Sequence, residues 1–118
     1  QPSYAPYMPI IAGAWDMGYD AVLRNSPGLI LASAPKEASN GLVDVTLALS
    51  YLELAAPSFG LSTCWAGLLY GAMRSHAPIR EMFGLADNVP FYYPMMIGHP
   101  KTRYFRLPER KTPRIVWK

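Results

Sequence analysis

The chain has 118 residues, of which 51% are hydrophobic and 16% charged, with 12 prolines, one cysteine and a formal net charge of +3. That length allows one domain, and the apolar fraction excludes disorder of the whole chain. A lone cysteine excludes an internal disulfide framework and any all-cysteine zinc or iron–sulfur centre, and it fits a reducing compartment. Charge is unevenly placed. Lys101, Arg103, Arg106, Arg110, Lys111, Arg114 and Lys118 stand against Glu109 alone, a net of +6, while residues 1–100 carry a net of −3.

Residues 1–14 are rich in proline and small residues and lack clear periodicity, so they read as an irregular lead-in. Asp16 is placed to cap a short helix running to Arg24, with Tyr19, Val22 and Leu23 on one face. Asn25-Ser26-Pro27-Gly28 is a turn. The apolar run Leu29-Ile30-Leu31-Ala32 after it suits a strand buried on both faces. A polar loop, 34–41, follows.

The stretch from Gly41 to Phe59 predicts the longest helix. Its polar residues Thr46, Ser50 and Glu53, joined by Pro57, fall on one narrow stripe, and the remaining circumference is mostly apolar. A helix apolar nearly all round is buried nearly all round, and a chain this short has little to surround it. The pattern therefore points to a subunit interface or to a segment outside this sequence. Asp44, Thr46, Ser50 and Glu53 interrupt it as a membrane span. Gly60 is placed to end the helix.

Residues 61–71 read as a loop of small residues around Ser62, Thr63, Cys64, Trp65 and Gly67. Pro78 opens a short helix over Ile79 to Phe83, which Gly84 closes. Phe91 to Gly98 predicts a strand, with Pro94 suggesting an edge or a bulge. The basic tail beyond His99-Pro100 has no helical period and holds Pro108 and Pro113, so it reads as extended. Its Arg114 to Trp117 segment can add a strand to another sheet.

Signatures of side-chain catalysis are absent. Gly60-Leu61-Ser62-Thr63-Cys64 lacks the second glycine of a nucleophile elbow. There is no G-x-G-x-x-G and no P-loop. His76 and His99 have no metal-ligand spacing; the first reads as a surface helix residue and the second as a strand-end residue. Cys64 has no His or acid beside it and reads as a small buried hydrophobe. The tail, with Tyr104, Phe105 and Trp117 among its cations, has three open readings. It binds nucleic acid, it is a solvated arm, or one or two of its cations hold a cofactor phosphate.

Taken in order, these pieces resemble the nitroreductase family of FMN-dependent flavoproteins. The run from Asp44-Val45-Thr46 through Ala55-Ala56-Pro57-Ser58-Phe59-Gly60-Leu61-Ser62-Thr63-Cys64-Trp65-Ala66-Gly67 is similar to that family's long apolar helix and the loop after it. Met82-Phe83-Gly84-Leu85, the strand ending Met96-Ile97-Gly98-His99-Pro100 and the basic Leu107-Pro108-Glu109-Arg110-Lys111 continue the likeness. Asn25 to Ile30 looks like the strand before the helix. The resemblance covers the chain from about Trp15. The family's N-terminal helices and Arg-rich phosphate-binding segment have no counterpart, so the chain reads as the C-terminal part of such a domain, one domain over 1–118 that is either a fragment or a shortened family member.

The resemblance implies an α+β fold, a partial three-layer sandwich with a central sheet flanked by helices and an extended C-terminal arm. It implies an FMN-dependent oxidoreductase that passes electrons from NAD(P)H to a nitro-aromatic, quinone or similar acceptor. The cofactor would lie at a cytoplasmic homodimer's interface, with no nucleic acid or membrane partner. By position, backbone N–H groups of Trp65, Ala66 and Gly67 would face the flavin, and Arg110 and Lys111 would hold its phosphate. Trp65 packs near the flavin or fills core; Gly67 is a point of close approach or a plain turn. A flavin chemistry needs no acid or base side chain, consistent with the empty motif search. The alternative is a non-catalytic flavin-binding or dimerisation module, a fragment of such an enzyme.

Overall fold

The computed structural model describes residues 5–85, 88–103, 105, 106 and 108–118. The first four residues of the lead-in, and Tyr104 and Leu107 of the tail, lie outside the described residues.

The lead-in is helical rather than irregular. A 3₁₀ turn, Ala5–Tyr7, runs into helix α1, Met8–Asp16. Pro9 sits in its first turn, where a missing N–H breaks no helical bond. Asp16 ends this helix instead of capping the next one, and residues 17–25 are turns. The acid that organises them is Asp20. Its carboxylate accepts the N–H groups of Val22 (3.0 Å), Leu23 (2.8 Å) and Asn25 (3.2 Å). These bonds, the one from Leu23 above all, hold the carboxyl below its ordinary range. Arg24 and Asn25 follow in left-handed conformations, φ 53° and 55°.

Three strands form one sheet: β1, Gly28–Ala34; β2, Ser62–Trp65; and β3, Phe91–Gly98. The order is β1-β3-β2, with β3 antiparallel to both neighbours. Helix α2, Gly41–Ala55, connects β1 to β2. Helices α3, Gly67–Ser75, and α4, Ala77–Met82, return the chain from β2 to β3. The segment 61–71 is thus a strand and a helix start, not a loop. Ser62, Thr63 and Cys64 read as loop-formers by their size, yet they themselves pair with β3.

Strand alternation sorts the core into two faces. Ile30, Ala32, Tyr93 and Met95 pack with Val45 and Leu49 of α2. Leu29, Leu31, Tyr92 and Met96 pack with Leu69 and Met73 of α3, joined by Ile79 of α4. Helices therefore cover both faces of a three-stranded sheet, the partial α+β sandwich expected. Strand β1 is only half-buried, and among the described residues no strand lies at its far edge.

Pro94 lies in the central strand, not in an edge strand. In an antiparallel strand one residue's N–H and C=O point to the same edge. The Pro94 C=O points toward β2, where it accepts the Ala66 N–H (3.1 Å). Pairing with β2 ends one residue earlier, at Trp65 opposite Met95. The missing proline N–H faces the Ala66 C=O, and that carbonyl is satisfied by the Tyr70 N–H instead.

Helix α2 gives way at Ala55 to a 3₁₀ turn, Ala56–Phe59. Pro57 cannot donate back along an α-helix, and Gly60 at φ 70° reverses the chain. By length and composition the 19-residue stretch Gly41–Phe59 passes for a membrane span. Here Val45, Leu49 and Ala56 are buried in the fold. The other side of α2 is open: Val43, Leu47, Tyr51 and Leu54 are 55%, 63%, 76% and 78% exposed. The expectation of burial nearly all round therefore fails within one chain.

At the start of α2, Gly41 is buried flat against Phe91, and an added Cβ would overlap the phenyl ring. Gly41→Ala is expected to cost about 1–3 kcal/mol by overpacking. Gly13 in α1 has nothing within 4 Å of an added Cβ. Gly13→Ala is therefore expected to leave stability unchanged or raise it by up to ~1 kcal/mol. Urea midpoints of the two variants check this, and equal midpoints would remove the close-packing argument.

Candidate functional site

The segment Trp65–Gly67 lies where β2 hands over to α3. Ala66 is buried and caps α3: its C=O accepts the Tyr70 N–H (2.9 Å), while its own N–H goes to Pro94. Of the three N–H groups expected to face a ligand, the Ala66 one is therefore already engaged. Gly67, Leu68 and Leu69 form the first turn of α3, whose N–H groups have no acceptor within the helix. The helix dipole adds partial positive charge at the same place.

The space over Gly67 is open. A Cβ built there meets one group within 4 Å, the Tyr93 hydroxyl at 3.6 Å. A ring or another planar group can approach the backbone at this point as closely as glycine allows.

Beneath the segment lies a cluster of rings. Trp65 meets Tyr93 edge-on, centroids 5.2 Å apart at 75°. Tyr93 stacks on Tyr70 of α3, 4.3 Å apart at 26°. Tyr92 meets Tyr70 edge-on at 5.7 Å, and the Arg74 guanidinium lies 5.8 Å from the Tyr70 ring centre. The Trp65 indole N–H donates to the Glu53 carboxylate of α2 (3.0 Å). Trp65 is half-buried, packed against the α2-side core while it borders Gly67. Sequence reasoning singled out Trp65 but missed Glu53, Tyr70 and Tyr93. No periodicity links positions 53, 65, 70 and 93; only the strand register and the return of α3 bring them together.

Arg110 and Lys111 are exposed on the extended arm and make no ion pair or hydrogen bond among the described residues. The structure does not bring them to Gly67. The arm's Ile115, Val116 and Trp117 are exposed as well. Cys64 is exposed on β2, contrary to the buried reading, because β2 is an edge strand and no helix covers that position. His76 is exposed between α3 and α4; His99, just past β3, holds the Gly60 C=O through Nδ1 (3.2 Å), as a strand-end residue. A shallow recess of about 310 Å³, almost wholly apolar, lies beside α1 and is lined by Tyr7, Ile10, Ile11, Ala21 and Leu68.

An open glycine at a helix start, over packed rings, suits the holding of a flat ring system by backbone groups. Comparison with known protein families matches residues 2–99 to the nitroreductase family. The match starts upstream of Trp15, and it ends before Arg110 and Lys111. No curated protein and no solved structure matches the chain. With a match over most of its length and helices on both faces of an antiparallel sheet, the chain belongs to the nitroreductase family, a family of flavin-dependent oxidoreductases.

Proposed function

We propose that this protein is an NAD(P)H-dependent FMN oxidoreductase acting as a cytoplasmic homodimer on small-molecule acceptors. The observation that carries this reading is the open backbone at Gly67, at the start of α3, in a chain of this family. When bound, FMN supplies the redox chemistry, taking hydride from NAD(P)H and passing electrons to a nitro-aromatic, quinone or similar acceptor.

The chain's own residues bind and orient. Gly67 leaves room for the ring, and first-turn N–H groups of α3 supply donors to electron-rich ring atoms. Ala66 fixes the segment by closing the sheet with one bond and capping α3 with another. Trp65 forms its rim. Arg110 and Lys111 hold the phosphate, each charge-assisted bond contributing ~1.5–3 kcal/mol. They lie about a dozen residues past β3, so an extended arm carries them up to roughly 40 Å from the strand's end, long enough to serve a partner's site.

The homodimer is supported by the outer face of α2. At about 100° per residue, Val43, Leu47, Tyr51 and Leu54 lie within roughly 80° of arc, opposite Val45 and Leu49. This continuous apolar stripe is what a second copy would cover. Replacing Leu47 and Leu54 together by Glu leaves the sheet-facing side intact. The double variant is expected to be monomeric by light scattering where the parent is dimeric, and to lose its flavin.

The direct test is a visible spectrum of the purified protein before and after anaerobic addition of NADH. A flavin spectrum that bleaches is expected. A colourless protein that FMN does not reconstitute would overturn the proposal in favour of a non-catalytic module.

Two variants separate the parts of the site. Gly67→Val meets only ordinary contact in the fold, so it is expected to melt within a few degrees of the parent while failing to retain FMN. Arg110→Ala with Lys111→Ala is expected to weaken FMN binding about tenfold or more without changing the melting temperature. Normal flavin occupancy in the first removes Gly67 from the site; in the second it removes the phosphate role.

A further inference from the structure

The bond between Glu53 and Trp65 is the one side-chain link between α2 and the segment that carries Gly67 for which the structure gives a distance. Indole N–H is a donor only, so it needs an acceptor, and the Glu53 carboxylate supplies one at 3.0 Å. The same indole lies edge-on against Tyr93, whose hydroxyl is the group nearest to the open space over Gly67. Tyr93 in turn stacks on Tyr70 of α3. A continuous contact path therefore runs from α2, through Trp65 and Tyr93, to the floor of the candidate site.

Fixing one member restricts the others. An indole with its N–H bound to Glu53 has one orientation against the Tyr93 ring. Without that acceptor the N–H turns to water, and the ring is free to leave its edge-on position. Tyr93 then loses one wall of its packing at the edge of the Gly67 space. Glu53 itself is exposed and lies on the polar stripe of α2, away from the sheet-facing core. Its loss thus costs the core nothing.

We propose that Glu53 is a positioning residue: through Trp65 it holds the Trp65–Gly67 segment in the shape that binds flavin. This rests on the flavin reading of the site. It also gives α2 a second role, since the helix with the open apolar stripe carries the carboxylate that sets the segment.

The test measures FMN dissociation constants of the apoprotein by quenching of FMN fluorescence, together with the indole N–H resonances of the flavin-free protein. Glu53→Ala is expected to weaken FMN binding roughly fivefold to tenfold, the effect of losing one modest hydrogen bond. It should shift the Trp65 indole resonance and leave the apoprotein's melting temperature unchanged. Glu53→Gln keeps an acceptor oxygen and is expected to bind FMN within about twofold of the parent. Trp65→Phe should weaken binding by a similar factor, and adding Glu53→Ala to it should do nothing more. Parental FMN affinity in Glu53→Ala, or a full Glu53 effect in the Trp65→Phe background, overturns the proposal while the flavin reading stands. A parent protein that binds no FMN overturns the flavin reading and this role with it, even if the indole resonance shifts.

Discussion

Strand β3 is packed from every direction, and the other elements take their places from it. It has a strand on each edge and a helix on each face. Met95 is fully buried under α2 and Met96 nearly so on the α3 side. Two consecutive methionines buried on opposite faces need two separate covers, and α2 and α3 provide them. Methionine suits this position because its unbranched chain fills irregular gaps between a sheet and a crossing helix. Burial on both faces of one strand is what a chain of this length can achieve with three strands. The outer edges of β1 and β2 stay open in consequence.

Much of this was legible in the sequence. The apolar runs at Leu29–Ala32 and Phe91–Gly98 became β1 and β3, the latter with the expected bounds. The long helix, the left-handed Gly60 and the proline-led α4 were readable from local chemistry alone. What was missed depended on tertiary partners. Ser62–Trp65 has no strand pattern strong enough to stand by itself; it is a strand because β3 offers it an edge. Residues 8–16 lack an amphipathic stripe, so periodicity could not reveal a helix none of whose residues is buried. The acid at 20, not the one at 16, organises the turns, because what matters is the set of N–H groups within its reach. In the site, Trp65 and Gly67 stood out by type, whereas Glu53 and Tyr93 became visible only in space.

Helix α2 illustrates how a sequence pattern can exceed what one chain explains. Its inner side meets the sheet, its polar stripe meets water, and its outer side is as apolar as its inner side. Such a surface is costly to leave in water, at ~25 cal/mol per Å² of apolar area. The side chains on it are large: Leu47, Tyr51 and Leu54 are each more than three-fifths exposed. Scattered apolar residues on a surface are ordinary, but a stripe of them along one face of the longest helix is not. The homodimer proposed above would cover this stripe without altering the inner packing.

The chemistry of the site follows from a backbone decision made at Pro94. Pro94 in the central strand offers no N–H to Ala66 opposite it. Its free C=O then captures the next N–H in the chain, that of Ala66. The bond turns the chain out of the sheet and into α3, with Ala66 as the last residue tied to β3. Gly67 then opens α3, where its N–H has no acceptor within the helix. A side chain at 67 would fill the space over this backbone, which glycine leaves open. Ala66 and Gly67 are adjacent in sequence yet differ in what holds them: Ala66 is tied to β3 and to α3, whereas Gly67 is the first residue of the helix.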